Sequence, residues 1–198
     1  PALTDLALDL VQKSAGFRRS LPESLLASLA DLVRSMNCYY SNLIEGHDTH
    51  PIDIERALQD DYSSDAKKRD LQLEAKAHIS VQQWIDSGGL KGRTLTAGSI
   101  CEVHRRFCEQ LPDDLLWVED PTTKKSVKMI PGELRDGDVK VGNHIAISPP
   151  AVPRLLQRFE EVYSRPGKPE PTIAGAAAHT PLVALPPSLR VHRRVFAR

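Results

Sequence analysis

Residues 131–150, "PGELRDGDVKVGNHIAISPP", contain the segment that breaks the helical pattern of this chain with a strand-like alternation. Val139, Val141, Ile145 and Ile147 alternate around Gly142-Asn143. A glycine-first two-residue turn closes a β-hairpin because its first position needs positive φ. A lone hairpin is marginal in water, so this one must lie against helices or offer its edge to a partner. The double proline at 149–150 suits the start of a helix, and Val152, Leu155, Leu156, Phe159 and Tyr163 then follow helical phase over 150–164.

Working outward, the remaining segments carry the 3.6-residue period. The spacing predicts a helix over 20–40, with Ser20 as N-cap, Glu23 completing a capping box and Pro22 in the first turn. Leu25, Leu26, Leu29, Leu32, Val33 and Met36 form its apolar face. "SNLIEGHDTHP", 41–51, breaks it, with Gly46 and Pro51 as stops. Further helices are expected over 52–60, over 65–86 (Leu73, Ala77, Val81, Trp84 and Ile85 on one side, stopped by "SGG") and over 96–110, starting near Thr96. The fold class is mostly α with one β-hairpin. Residues 1–60 read as an N-terminal helical region and 61–198 as the core, with the Pro-rich "SRPGKPEP", 164–171, as a connector.

Composition narrows the function classes. Lys plus Arg and Asp plus Glu balance at 26 each, so no global field points to nucleic acid, a membrane or an acidic substrate. The apolar runs fall short of a membrane span, and no leader peptide is read at the start. Three cysteines without a CxxC pair suggest a reducing, cytoplasmic setting. Cys101, His104 and Cys108 share a helix face at i, i+3 and i+7, a spacing that could hold a metal. With no fourth ligand at comparable spacing, core packing is the better reading and no metal is assigned. His47, Asp48 and His50 read as turn residues, and "RVHRRVFAR", 190–198, as a solvated basic end. Ser41 and Glu45, four apart before Gly46, read by themselves as a solvated helix end.

In this order the pieces resemble the Fic family, from about Phe17 onward. "SNLIEGHDTHPIDIERAL", 41–58, is similar to the family's N-terminal helix and the turn after it. "PGELRDGDVKVGNHIAISPP" resembles its flap, and "AGAAAHTPLVALPPSLRVHRRVFAR", 174–198, falls where its active-site helix–loop–helix begins. The resemblance implies a Fic-like helical core and transfer of AMP from ATP, with Mg²⁺, to a hydroxyl of a target protein. It implies that Ser41, Glu45 and Gly46 match the [S/T]xxxE[G/N] motif of the self-inhibited class, whose Glu pairs with an arginine and denies it to the ATP γ-phosphate. It also implies that Val139, Val141, Gly142, Ile145 and Ile147 form a flap whose edge pairs with the target's backbone.

The family signature HPFx[D/E]GNGRxxR is where this sequence departs. Laid over 186–194, "PPSLRVHRR", it puts Pro186 at the general base, Ser188 at Phe, Arg190 at the metal-holding acid and Val191, His192 and Arg193 at Gly-Asn-Gly. Only Pro187 and Arg194 match, leaving Arg194 as the nucleotide-binding candidate, and the chain is read as truncated at its C-terminal end. Proline has no titratable group, a cation at 190 repels Mg²⁺, and three side chains block backbone amides from a phosphate. The expected activity is weak or absent. The alternative is a non-catalytic protein-interaction module using the hairpin edge. A basic-tailed nucleic-acid binder ranks below both, and the sequence sets no oligomeric state.

Overall fold

The computed structural model describes residues 2–44, 46–47, 49–90, 96–119, 123–138, 140–141 and 144–163. The chain is mostly α-helical. In order it runs α1 (Ala2–Ser20), α2 (Glu23–Ile44), α3 (Pro51–Leu58), α4 (Ala66–Asp86), α5 (Ala97–Cys108), β1 (Trp117–Glu119), β2 (Ser126–Lys128), β3 (Lys140–Val141), β4 (His144–Ile145) and α6 (Val152–Tyr163). No helix among the described residues is long and apolar enough to cross a membrane.

Helix α1 lies ahead of every helix the sequence pattern suggested. Asp5 in its first turn and Arg18 and Arg19 in its last complement the helix dipole. The capping box expected at Ser20 does not form. The Ser20 hydroxyl donates to the Phe17 carbonyl at 2.7 Å, closing α1 instead. Helix α2 begins at Glu23, and the Pro22 carbonyl accepts from Leu26 N–H at 3.0 Å.

The end of α2 is where "SNLIEG" sits, and the helix runs through it to Ile44. Gly46 N–H donates to the Leu43 carbonyl (3.1 Å), and His47 N–H to that of Asn42 (2.8 Å). With Gly46 at φ +74°, this is a Schellman stop, which calls for glycine because an L side chain is strained there. Pro51 turns out to open α3 rather than to stop a helix: it occupies the first turn, where a missing N–H costs nothing.

Helix α4 is the hub. Asp65 caps its start by accepting from Lys68 N–H at 2.9 Å. Gln72, Ala75 and Ile79 fall on one face, Ala77 and Val81 on the opposite one, and all five are buried. The first face meets α2 and α3 in a cluster of Cys38, Ile54, Ala75 and Ile79. That cluster draws on both sides of residue 60, so packing is continuous across the boundary suggested there. Gln72 bonds inside it, donating to the Asp53 and Asp61 carbonyls and accepting from Ser63 N–H. The opposite face turns toward α5, where the Arg106 guanidinium lies 4.1 Å over the Trp84 ring. A second Schellman stop ends α4 at Gly88, φ +84°.

Thr96 caps α5 as expected, accepting from Ser99 N–H at 3.1 Å. The Glu160 carboxylate of α6 accepts from Ala97 N–H at 3.0 Å, so one helix supplies the anion for another's N-terminus. Helix α6 buries Val152, Leu156 and Phe159, the phase read from the sequence. Where one hairpin was expected, there are two antiparallel pairs among the described residues. The extra one joins Trp117 to Lys128, Val118 to Val127 and Glu119 to Ser126, beneath a cluster of Cys108, Leu116 and Met129. Its strands are three residues long, too short for alternation to register as a signal.

Candidate functional site

Ile130, Pro131, Gly132 and Glu133 form a tight turn, with Glu133 N–H donating to the Ile130 carbonyl at 3.1 Å. Proline at the second position and a φ +83° glycine at the third are the chemistry of a type II turn. Gly132 also lies against α5. A Cβ there would meet the Arg105 side chain at 3.0 and 3.1 Å and the Cys101 carbonyl at 3.3 Å.

The close approach lets Gly132 N–H donate to Nδ1 of His104 at 2.9 Å. A nitrogen that accepts carries no proton, so the imidazole proton belongs on Nε2, which faces the Cys108 Sγ at 3.4 Å. Burial pushes His104 down to about 4 and, together with the charge of Glu109, pushes Cys108 up to about 12. The pair is a neutral imidazole and a protonated thiol, the form of cysteine that is a poor nucleophile. Cys101, the third member of that face, is half-buried. Among the described residues no group of three or more His, Cys, Asp or Glu is placed to hold a metal.

Two residues past the turn, Arg135 is 3% exposed. Its Nη1 donates to the Gly137 carbonyl at 2.8 Å and its Nη2 to that of Ile147. One guanidinium thus ties the chain entering β3 to the chain leaving β4. Between them the strands pair Lys140 with Ile145 and Val141 with His144. Leu134 and Ile147 pack on Val152 and Leu156, fixing the base of the pair to α6. Beside it a cavity of about 500 Å³ is lined by Ile147, Ala151, Arg154, Leu155 and Arg158.

The residues singled out in the sequence distribute unevenly over this frame. Val141 lies in β3 and Ile145 in β4, while Val139 and Gly142 lie outside the described residues. Ile147 lies past the end of β4, half-buried and packed against the α6 cluster. Ser41 is half-buried in the last turn of α2, and Gly46 is exposed at the stop. Glu45, Pro186 and Arg194 lie outside the described residues, so neither the inhibitory pairing nor the signature region is part of the described fold. His104 and Arg135 were not recognised as the residues that fix this region. The signal for Arg135 was its place in the Pro-Gly-x-x-Arg lead; His104 had only its position on the Cys101–Cys108 face.

His104 gives the fold a pH dependence with a definite sign. The unfolded chain takes up the proton near 6.5 and the folded chain only near about 4. Between those values the unfolded state binds more protons, so stability is complete above about 6.5 and falls as pH drops toward about 4. The total loss is expected to reach about 3 kcal/mol. His78, also lowered by burial, contributes with the same sign. Urea unfolding across this range should show the loss. His104→Gln, which keeps an acceptor for Gly132 N–H and removes the titration, should flatten it. An unchanged slope would assign the dependence to other groups.

No family model matches the chain, and no curated protein matches it.

Proposed function

We propose that this chain is a Fic-like protein that docks a target protein along the β3–β4 edge and transfers little or no AMP. The observation that carries the reading is the pinned base of the strand pair. Arg135 bonds the carbonyls of Gly137 and Ile147, and His104 holds the turn at Gly132, so the edge is presented on rigid helices. Among the described residues β3 and β4 pair only with each other, which leaves backbone groups on their outer sides for a third strand. The order of the three family-like segments supports the Fic-like core and its flap. The residues over 186–194 argue against ATP and Mg²⁺ chemistry, since Pro186 cannot act as a base and Arg190 opposes the metal. Three unpaired cysteines suit the cytoplasm.

Two measurements test this. With labelled ATP and Mg²⁺, neither the chain nor its Glu45→Gly variant should label itself or a lysate. Labelling by the variant alone would restore the self-inhibited enzyme as the reading. Val141→Pro removes a strand N–H and should abolish capture of the target while the helical core melts unchanged. Capture that survives this change would place the docking surface elsewhere.

A further inference from the structure

The cavity beside the strand pair joins an apolar floor to a cationic rim. Its volume of about 500 Å³ is in the range of ligand pockets. Ala151 precedes α6, and Arg154, Leu155 and Arg158 follow it on one helix face, while Val152, Leu156 and Phe159 turn to the core. Ile147, Ala151 and Leu155 are half-buried and make the floor; Arg154 and Arg158 are exposed and make the rim. The floor is in place before anything binds. Ile147 and Leu155 pack on Val152 and Leu156, and the Ile147 carbonyl accepts from Arg135.

The rim is short of negative charge. Arg154 makes no ion pair or hydrogen bond among the described residues, and one turn on it meets Arg158, a like charge. Arg158 Nη1 lies 3.6 Å from Glu161, and Gln157 donates to the other oxygen of that carboxylate at 3.2 Å. Glu160, the other acid of α6, accepts from Ala97 N–H. Both charged residues that line the cavity are therefore cations. Acids and bases balance over the whole chain, so this attraction for an anion is local. A guanidinium pair matches a carboxylate in shape as well as charge. The apolar floor asks that the carboxylate come with an apolar group, as a peptide segment can bring it.

The place of the cavity says how such a segment arrives. Ile147 stands two residues past Ile145, where β4 ends, a rise of about 7 Å along an extended chain. A strand added to β4 and running on in that direction passes the cavity. Side chains two apart on a strand point to the same side. We propose that the cavity is a recognition subsite for an acidic peptide segment, in which an apolar side chain fills the floor and an Asp or Glu two residues away pairs with Arg154 and Arg158. The path of the segment rests on the β3–β4 reading; the chemistry of the cavity does not.

The probe is a fluorescent Thr-rich, strand-forming peptide with Leu and Asp two apart, its binding to the full chain followed by anisotropy. It should bind about tenfold more tightly than the same peptide with Asn for Asp or with Ser for Leu, and more weakly as salt rises. Arg154→Glu/Arg158→Glu should invert the preference, so that a Leu–Lys peptide binds best. Loss of folding cannot produce that inversion, and with both residues exposed the thermal midpoint should not move. An Asp preference that survives the double reversal, or none at the outset, overturns the proposal. So does a chain that binds phosphatidylserine vesicles or inorganic phosphate but none of the peptides. Val141→Pro separates the subsite from the edge. If it abolishes peptide binding while the double reversal changes nothing, the edge stands and the subsite falls. If the charge preference persists in Val141→Pro, the subsite stands and the edge falls.

Discussion

Gly132→Ala is expected to lower the unfolding free energy by about 2–4 kcal/mol, combining left-handed backbone strain with overpacking. Two independent facts make the site intolerant. Its φ of +83° is one an L residue adopts only under strain. Its missing Cβ is also where α5 lies, 3.0 and 3.1 Å from the Arg105 side chain and 3.3 Å from the Cys101 carbonyl. The Nε end of the half-exposed Arg105 can swing away, but its Cβ is fixed to the helix. The carbonyl is part of a helix and cannot move either, so the turn must lift. Lifting it breaks the 2.9 Å bond from Gly132 N–H to His104 and leaves a buried imidazole nitrogen without its donor. Gly98, in the first turn of the same helix with nothing near its absent Cβ, is the matched control. Gly98→Ala should be neutral or stabilising by up to about 1 kcal/mol. Urea midpoints of the two variants decide the matter: equal small effects would mean that the turn is not held against α5.

The contrast between those glycines shows how far the sequence could be read. Helices α4, α5 and α6 were legible because each combines apolar phase with a local boundary signal. For α4 that signal is the Ser-Gly-Gly after Asp86; for α5 it is Thr96. All of these act within a few residues of one another. The start of α2 misled because Ser20 and Glu23 fit a capping box, yet the Ser20 hydroxyl reached back to Phe17 and served the preceding helix. Helix α1 was missed because its apolar residues lie on two sides and give no single face. At the site, the turn at Pro131-Gly132 was visible as turn chemistry. Its fastening was not, because His104 is 28 residues upstream in sequence, and the carbonyl that Arg135 reaches is 12 downstream. Side-chain to backbone bonds over such distances leave no periodic trace. The alternation of Val139, Val141, Ile145 and Ile147 brackets β3 and β4, and what it did not carry is that the Ile147 carbonyl accepts from Arg135 while its side chain packs on the α6 cluster. "SNLIEG" was the sharpest local motif, and what the fold adds is its stop: Gly46 in a Schellman turn, which fixes where α2 delivers Ser41.

Arg135→Met is expected to free the strand pair while leaving the helical body in place. The guanidinium is buried and supplies donors to two carbonyls on opposite strands of the region. Methionine fills similar volume with no donor, so both carbonyls lose a charge-assisted partner, each worth about 1.5–3 kcal/mol. That energy should be lost locally. Ile147 still packs on Val152 and Leu156, and the α4 cluster of Cys38, Ile54, Ala75 and Ile79 is built from other residues. Exchange of the amides that bond across the β3–β4 pair should therefore accelerate by about a hundredfold or more, with core amides of α4 little changed. Arg135→Lys should fall between, since one ammonium on a flexible stem cannot hold two carbonyls in the fixed geometry of a guanidinium. If the outer edge of the pair docks a target strand, Arg135→Met must also weaken capture, because the ordering that Arg135 provides would then be drawn from binding. Fast exchange with undiminished capture would separate the two roles and show that the partner orders the strands itself.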